Sequence, residues 1–131
     1  MNTMAARPVG QRPKNLNLFS IRMPINAVVS ILHRVSGFLL FLVIPLVLLL
    51  LQKSLGSAEE YRQAVDILTH PLAKLVLTGL TWAFAHHFLA GLRHLAMDVH
   101  WGTELKKARR SSRGVLVGAV LMTAAAAMMI W

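Results

Sequence analysis

The chain is predicted to be an all-α membrane protein with three transmembrane helices, on three observations. Of its 131 residues, 56% are hydrophobic, and the mean hydropathy of +0.57 is too apolar for a soluble domain of this size. Three apolar stretches, residues 35–52, 75–92 and 114–131, are each 18 residues long, close to the ~20 needed to cross a bilayer core. Every charged side chain lies outside them. Nothing remains to build a soluble domain, so residues 1–131 are read as one membrane domain without internal repeats.

Residues 1–25 contain three prolines and no apolar signal-peptide core, and are expected to form an irregular cytoplasmic arm. The spans are expected at about 27–52, 71–96 and 113–131. Between the first two, Ser57-Ala58-Glu59-Glu60 has the form of a capping box, which predicts a surface helix over about 58–68. Thr69 is expected to cap the second span, with Pro71 in its first turn, where a missing N–H does no harm. In the third span, the alanines at 124–127 with Gly118 suit close helix packing. Trp131 is expected to anchor at the interface.

Lys and Arg number five in the N-terminal arm with Arg34, three in the first loop and six in the second. Basic loops stay on the cytoplasmic side, so the N-terminus and second loop are placed there and the C-terminus outside. The expected location is the bacterial inner (cytoplasmic) membrane. Topology thus accounts for the net charge of +9, and no nucleic-acid partner is implied. The cluster at 106–113 is most simply a topology signal, with contact to anionic lipid as the alternative. With no cysteine in the chain, disulfides, thiolate-held iron–sulfur clusters and zinc fingers are excluded.

Ser30, His33, Arg34 and Gly37 stand at i, i+3, i+4 and i+7, one face of the first helix. A helix starting near Asn26 carries Arg34 about 12 Å along its axis. An unpaired central arginine costs at least about 2.5–3.5 kcal/mol, which a haem propionate or quinone carbonyl would offset. Ser30 adds a hydroxyl donor one turn away. Alternatively the span begins at Val35, and His33 and Arg34 are anchors that reach to the headgroups.

His87, Gly91, His94 and Asp98 stand at i, i+4, i+7 and i+11, one face of the second span. His87 lies about 9 Å from the boundary charge of Arg93. A neutral imidazole at that depth is able to ligate haem iron, and Gly91 removes a side chain where a flat macrocycle would approach. Arg93 and His94 suit pairing with Asp98, lipid phosphate or cofactor carboxylates. The alternative is interhelical hydrogen bonding with small residues present for packing. Local spacing does not separate His86 from His87, which differ by ~100° around the helix. Both constellations fall in the cytoplasmic half of the membrane, which favours one shared site.

Further residues carry a resemblance. Arg12-Pro13-Lys14-Asn15-Leu16-Asn17-Leu18 and Ile21-Arg22-Met23-Pro24-Ile25 precede an S-I-L-H-R-x-S-G block at 30–37. H-x-x-x-G-x-R-H then runs from His87 to His94, followed by Met97-Asp98. Over most of its length the chain resembles the cytochrome b membrane-anchor subunit of succinate dehydrogenase, the larger of that enzyme's small anchors. His86 stands where that family commonly has tyrosine, and Met23 where it has phenylalanine.

The resemblance implies three spans packing with a second anchor subunit in a haem-binding bundle, which holds an iron–sulfur subunit and a flavoprotein subunit to the membrane. It implies one haem b shared with the partner anchor, with His87 as axial ligand to the iron and His33 and Arg34 near the propionates. Ser30 and Arg34 match the family's quinone-site residues, with ubiquinone as the substrate. Electrons from succinate, a tricarboxylic acid cycle intermediate, would pass through flavin and iron–sulfur clusters to quinone. The chain would not be catalytic alone, having no flavin motif and no acid/base pair for succinate oxidation. The alternatives are a fumarate reductase anchor using menaquinone and a haem-free structural membrane subunit. A channel protomer would show a polar stripe through the full membrane depth, whereas the third apolar stretch offers only Thr123.

Overall fold

The computed structural model describes residues 22–131. The 12–18 block, Ile21 and nearly all of the expected 1–25 arm lie outside the described residues. Those described form four helices and no strand: α1 (Ile25–Ser54), α2 (Ala58–Thr69), α3 (Pro71–Asp98) and α4 (Leu105–Ile130). Three of them, α1, α3 and α4, are long and apolar enough to cross a membrane, and the chain is a multi-pass membrane protein.

Pro24 precedes α1 in an extended conformation, and its carbonyl takes the amides of Ala27 at 2.9 Å and Val28 at 3.2 Å. The helix runs on through Pro45, as membrane helices tolerate. The expected surface helix is α2, where Ser57 Oγ accepts the Glu60 amide at 3.1 Å. The expected cap of the second span is corrected. Thr69 belongs to α2, and its hydroxyl bonds back to the Val65 carbonyl at 2.9 Å, a local bond that competes with capping. His70 caps α3 instead, its Nδ1 accepting the Leu72 amide at 3.2 Å, while Pro71 occupies the first turn as expected. The helix α4 starts at Leu105, well before residue 113. Lys, Arg and Ala are good helix formers, and neither Gly nor Pro interrupts residues 105–113.

The helix α3 packs against both α1 and α4 and runs antiparallel to each. Gly37 meets His87 and Gly91 lies by His33 on one side, while Leu89 meets Gly118 on the other. Trp131 donates to Thr78 Oγ1 at 3.3 Å where α4 ends beside the start of α3. Ser112 donates to Asn26 Oδ1 at 2.8 Å, tying α4 to α1. The shared core is small: Val29, Ala90 and Val115, flanked by Leu89 and Leu116.

On α4 the buried stripe is Ala108, Ser112, Val115 and Ala119. Small residues let backbones approach in lipid, where packing rather than water exclusion drives association. Gly118 takes part, because a Cβ there would lie 2.9 Å from Leu89 Cδ1. Of the alanines at 124–127, Ala126 and Ala127 are half-buried, while Ala124 and Ala125 are exposed, because the close contact within this chain falls nearer the N-terminal half of α4. The outer side of α1 leaves Phe38, Phe41, Leu46 and Leu49 exposed.

Candidate functional site

The facing segments of α1 and α3 bring three imidazoles together. The rings of His33 and His87 stack with centroids 4.2 Å apart and planes 13° from parallel. His94 lies 5.1 Å from His33, tilted by 47°. The sequence set His87 and His94 on one face of α3 and His33 on a face of α1, and the antiparallel packing makes those faces meet.

Backbone geometry fixes one ring. His87 Nδ1 lies 3.0 Å from the main-chain carbonyl oxygen of His33. A carbonyl only accepts, so Nδ1 carries the proton and the neutral ring keeps its lone pair on Nε2. Ser36 donates to the same carbonyl at 3.0 Å and stands 3.5 Å from His87 Nδ1. Among the described residues, Nε2 of His87 has no hydrogen-bond partner. Gly37 makes the approach possible, since a Cβ there would lie 2.7 Å from His87 Cε1. Gly91 matters less: its Cβ would stand at an ordinary 3.6 Å from His33 Nε2. Beside these residues runs an apolar groove of about 500 Å³, lined by His87, Gly37, Phe41, Ile44 and Phe84.

His86 is placed quite differently. It is 0% exposed, and its ring stacks on Trp82 with centroids 5.4 Å apart. Neither ring nitrogen has a partner among the described residues. The two neighbouring histidines that spacing alone left equivalent are thus separated: His86 is enclosed by protein, and His87 lines a groove.

The helical face drawn through Ser30, His33, Arg34 and Gly37 divides in the fold. His33 and Gly37 meet α3, Ser30 is half-buried and Arg34 is exposed. Among the described residues Arg34 has no ion pair. Adjacent helix positions diverge by ~100°, so a ring at 33 that faces α3 leaves the side chain at 34 pointing elsewhere.

Of the partners suggested for Arg93, Asp98 does not pair with it among the described residues. Arg93 is only 8% exposed and turns to α4, where Nε donates to Ser111 Oγ at 3.0 Å and Nη2 to the Ala108 carbonyl at 3.4 Å. The residue that sequence reasoning passed over is Ser36. Its signal was available, because a membrane serine usually bonds to the carbonyl three or four residues back, here that of His33.

No group of three or more His or acidic side chains converges as a bare-metal site among the described residues. A single imidazole nitrogen without a hydrogen-bond partner, beside an apolar groove, is able to act as one ligand to a metal.

Known proteins give a consistent comparison. The family model described as succinate dehydrogenase/fumarate reductase transmembrane subunit matches residues 9–126. The succinate dehydrogenase cytochrome b556 subunit of Coxiella burnetii is 37% identical over 122 residues, covering 92% of this chain and 98% of that one. Its counterpart in Paracoccus denitrificans is 34% identical over 113 residues, covering 86% and 87%, and that of Rickettsia felis 27% over 123 residues, covering 92% and 91%. A match of this extent, on a chain with three membrane-length helices, shows that the protein belongs to the succinate dehydrogenase/fumarate reductase transmembrane subunit family, as a cytochrome b anchor subunit of the succinate dehydrogenase type.

Proposed function

We propose that this subunit binds one haem b and contributes to a ubiquinone site, and so takes part in passing electrons from succinate to quinone. The observation that carries the reading is the His87 ring, with Nδ1 held by the His33 carbonyl at 3.0 Å and the Nε2 lone pair, unpartnered among the described residues, on a ring that lines an apolar groove. Metal-ligating histidines commonly have their other nitrogen fixed in this way, which sets tautomer and ring orientation. The name of the relatives, cytochrome b556 subunit, points the same way.

In this reading His87 Nε2 would hold the haem iron, together with a residue of the partner anchor. When bound, haem iron exchanges single electrons between its ferric and ferrous states. His33 and Arg34 offer cationic or N–H partners to the propionates, and Gly37 keeps the ring's approach clear. Ser30 and Arg34 would hold a quinone carbonyl through a hydroxyl and a guanidinium donor, and the exposure of Arg34 suits a ligand shared with neighbouring subunits. Those neighbours would be the second small anchor, the iron–sulfur subunit and the flavoprotein subunit. The Lys/Arg asymmetry supports a cytoplasmic N-terminus in a bacterial inner membrane.

The test is a dithionite-reduced minus oxidised spectrum of the purified membrane complex, comparing His87→Ala with His86→Ala. Loss of the b-type α-band in His87→Ala alone is expected. Loss in His86→Ala alone would move the ligand by one residue. No band in the unmutated complex would leave an anchor without haem.

A further inference from the structure

We propose that a cationic pocket at the turn between α3 and α4 holds the phosphate of an anionic phospholipid. The pocket has a volume of about 620 Å³, and its polar lining is Arg93, Lys107, Arg110 and Ser111. No carboxylate lines it. The whole chain has five acidic residues, and only Asp98 and Glu104 belong to this end of the bundle. Glu104 is taken by Lys107 in an exposed bridge of 3.2 Å, and Asp98 makes no ion pair among the described residues.

Arg93 states the need most clearly. Its guanidinium is buried, yet its partners are a serine hydroxyl and a main-chain carbonyl. A buried cation without a counter-charge is costly, and a phosphate matches the guanidinium fork. Charge alone does not choose between free phosphate and lipid, but the shape of the pocket does. Leu92 and Val115 continue the lining from the cations along the apolar flank of the two helices, which suits an acyl chain. Trp101 stands on the rim, 76% exposed, and tryptophan favours the headgroup level.

The turn is built to hold that rim. The Trp101 amide reaches back to the Ala96 carbonyl and the His100 amide to that of Met97, both at 2.9 Å, with His100 at φ 63°. This paired pattern is the Schellman closure of a helix. The pocket lies on the α4 side of α3, whereas the imidazole cluster lies on the α1 side. The inference therefore rests on membrane insertion and not on haem or quinone binding.

The test uses the intact membrane complex, purified in detergent, stripped of lipid and examined by native mass spectrometry. Dioleoylphosphatidylglycerol is titrated against dioleoylphosphatidylcholine, with inorganic phosphate as competitor. The unmutated complex is expected to favour the anionic lipid by about tenfold, as charge-led lipid recognition allows. Lys107→Gln with Arg110→Gln, and separately Arg93→Gln, should bring the two lipids level. Arg62→Gln on α2 should change nothing. If Arg93→Gln fails to assemble, the exposed Lys107/Arg110 pair decides alone. Equal binding of both lipids, or variants that match the unmutated complex, overturns the proposal. Displacement of the lipid by inorganic phosphate would assign a free-anion site and also overturns it. So would release of a protein subunit from the variants with lipid binding unchanged, since the cations would then face a protein.

Discussion

His87 on α3 donates its Nδ1 proton to the main-chain carbonyl of His33 on α1, 3.0 Å away. The acceptor is backbone, so the tautomer of His87 does not depend on the side chain at 33. It depends on how closely the two helices approach, and Gly37 sets that approach.

Gly37→Ala should therefore damage the site without touching either histidine. The new methyl would stand 2.7 Å from His87 Cε1, well inside contact distance, and overpacking of this kind costs about 1–3 kcal/mol. The reduced-minus-oxidised b-type band should fall. Gly91→Ala is the control, because its methyl meets His33 Nε2 at 3.6 Å, and should leave the band intact. Equal bands in the two variants would show that helix approach does not control the ring.

Ser36→Ala should tune the site rather than empty it. The serine shares the His33 carbonyl with His87, so its removal leaves that acceptor more fully to the imidazole. A stronger Nδ1–H bond raises the basicity of a ligating histidine, which favours the oxidised metal. A redox titration should show haem retained with a midpoint potential lower than in the unmutated complex. A rise in potential would contradict the shared-acceptor account.

The spans were legible because apolar length is a direct physical requirement of the bilayer. The helix α2 was legible because Ser57 and Glu60 stand at capping spacing. What escaped the sequence were choices between near neighbours. The sequence suggested Thr69 as the cap of α3, but its hydroxyl bonds back to Val65 and the next residue, His70, caps instead. Periodicity put His33 and Arg34 on nearly one face and left His86 and His87 equivalent. It says which residues share a side but not which neighbour that side meets. Arg93 shows the same limit: it follows Leu92 and precedes His94, yet it turns to α4 while His94 turns to α1.

His86 carries an opposite expectation from His87. Both of its ring nitrogens are buried without partners among the described residues, and an unsatisfied buried polar group costs about 1–3 kcal/mol. His86→Phe keeps an aromatic ring against Trp82 and removes that penalty. The purified complex should keep its b-type band and resist thermal unfolding at least as well as before. A clear loss of stability would reveal a hydrogen-bonding partner for His86 in the assembled complex.

The α3–α4 turn offers a stability test away from the imidazoles. His100 sits at φ 63°, a left-handed conformation in which an L side chain crowds its own carbonyl at a cost of about 1–2 kcal/mol. Glycine escapes that crowding but gives up about 0.5–1 kcal/mol through the greater freedom of the unfolded chain. The difference leaves His100→Gly favoured by up to about 1.5 kcal/mol. Gly102 is also left-handed, at φ 74°, so Gly102→Ala should act in the opposite direction. Trp101 lies between the two positions, and its emission as the purified complex is heated should report both effects. A lower transition temperature in His100→Gly, or a higher one in Gly102→Ala, would mean that the turn does not hold this conformation in the membrane complex.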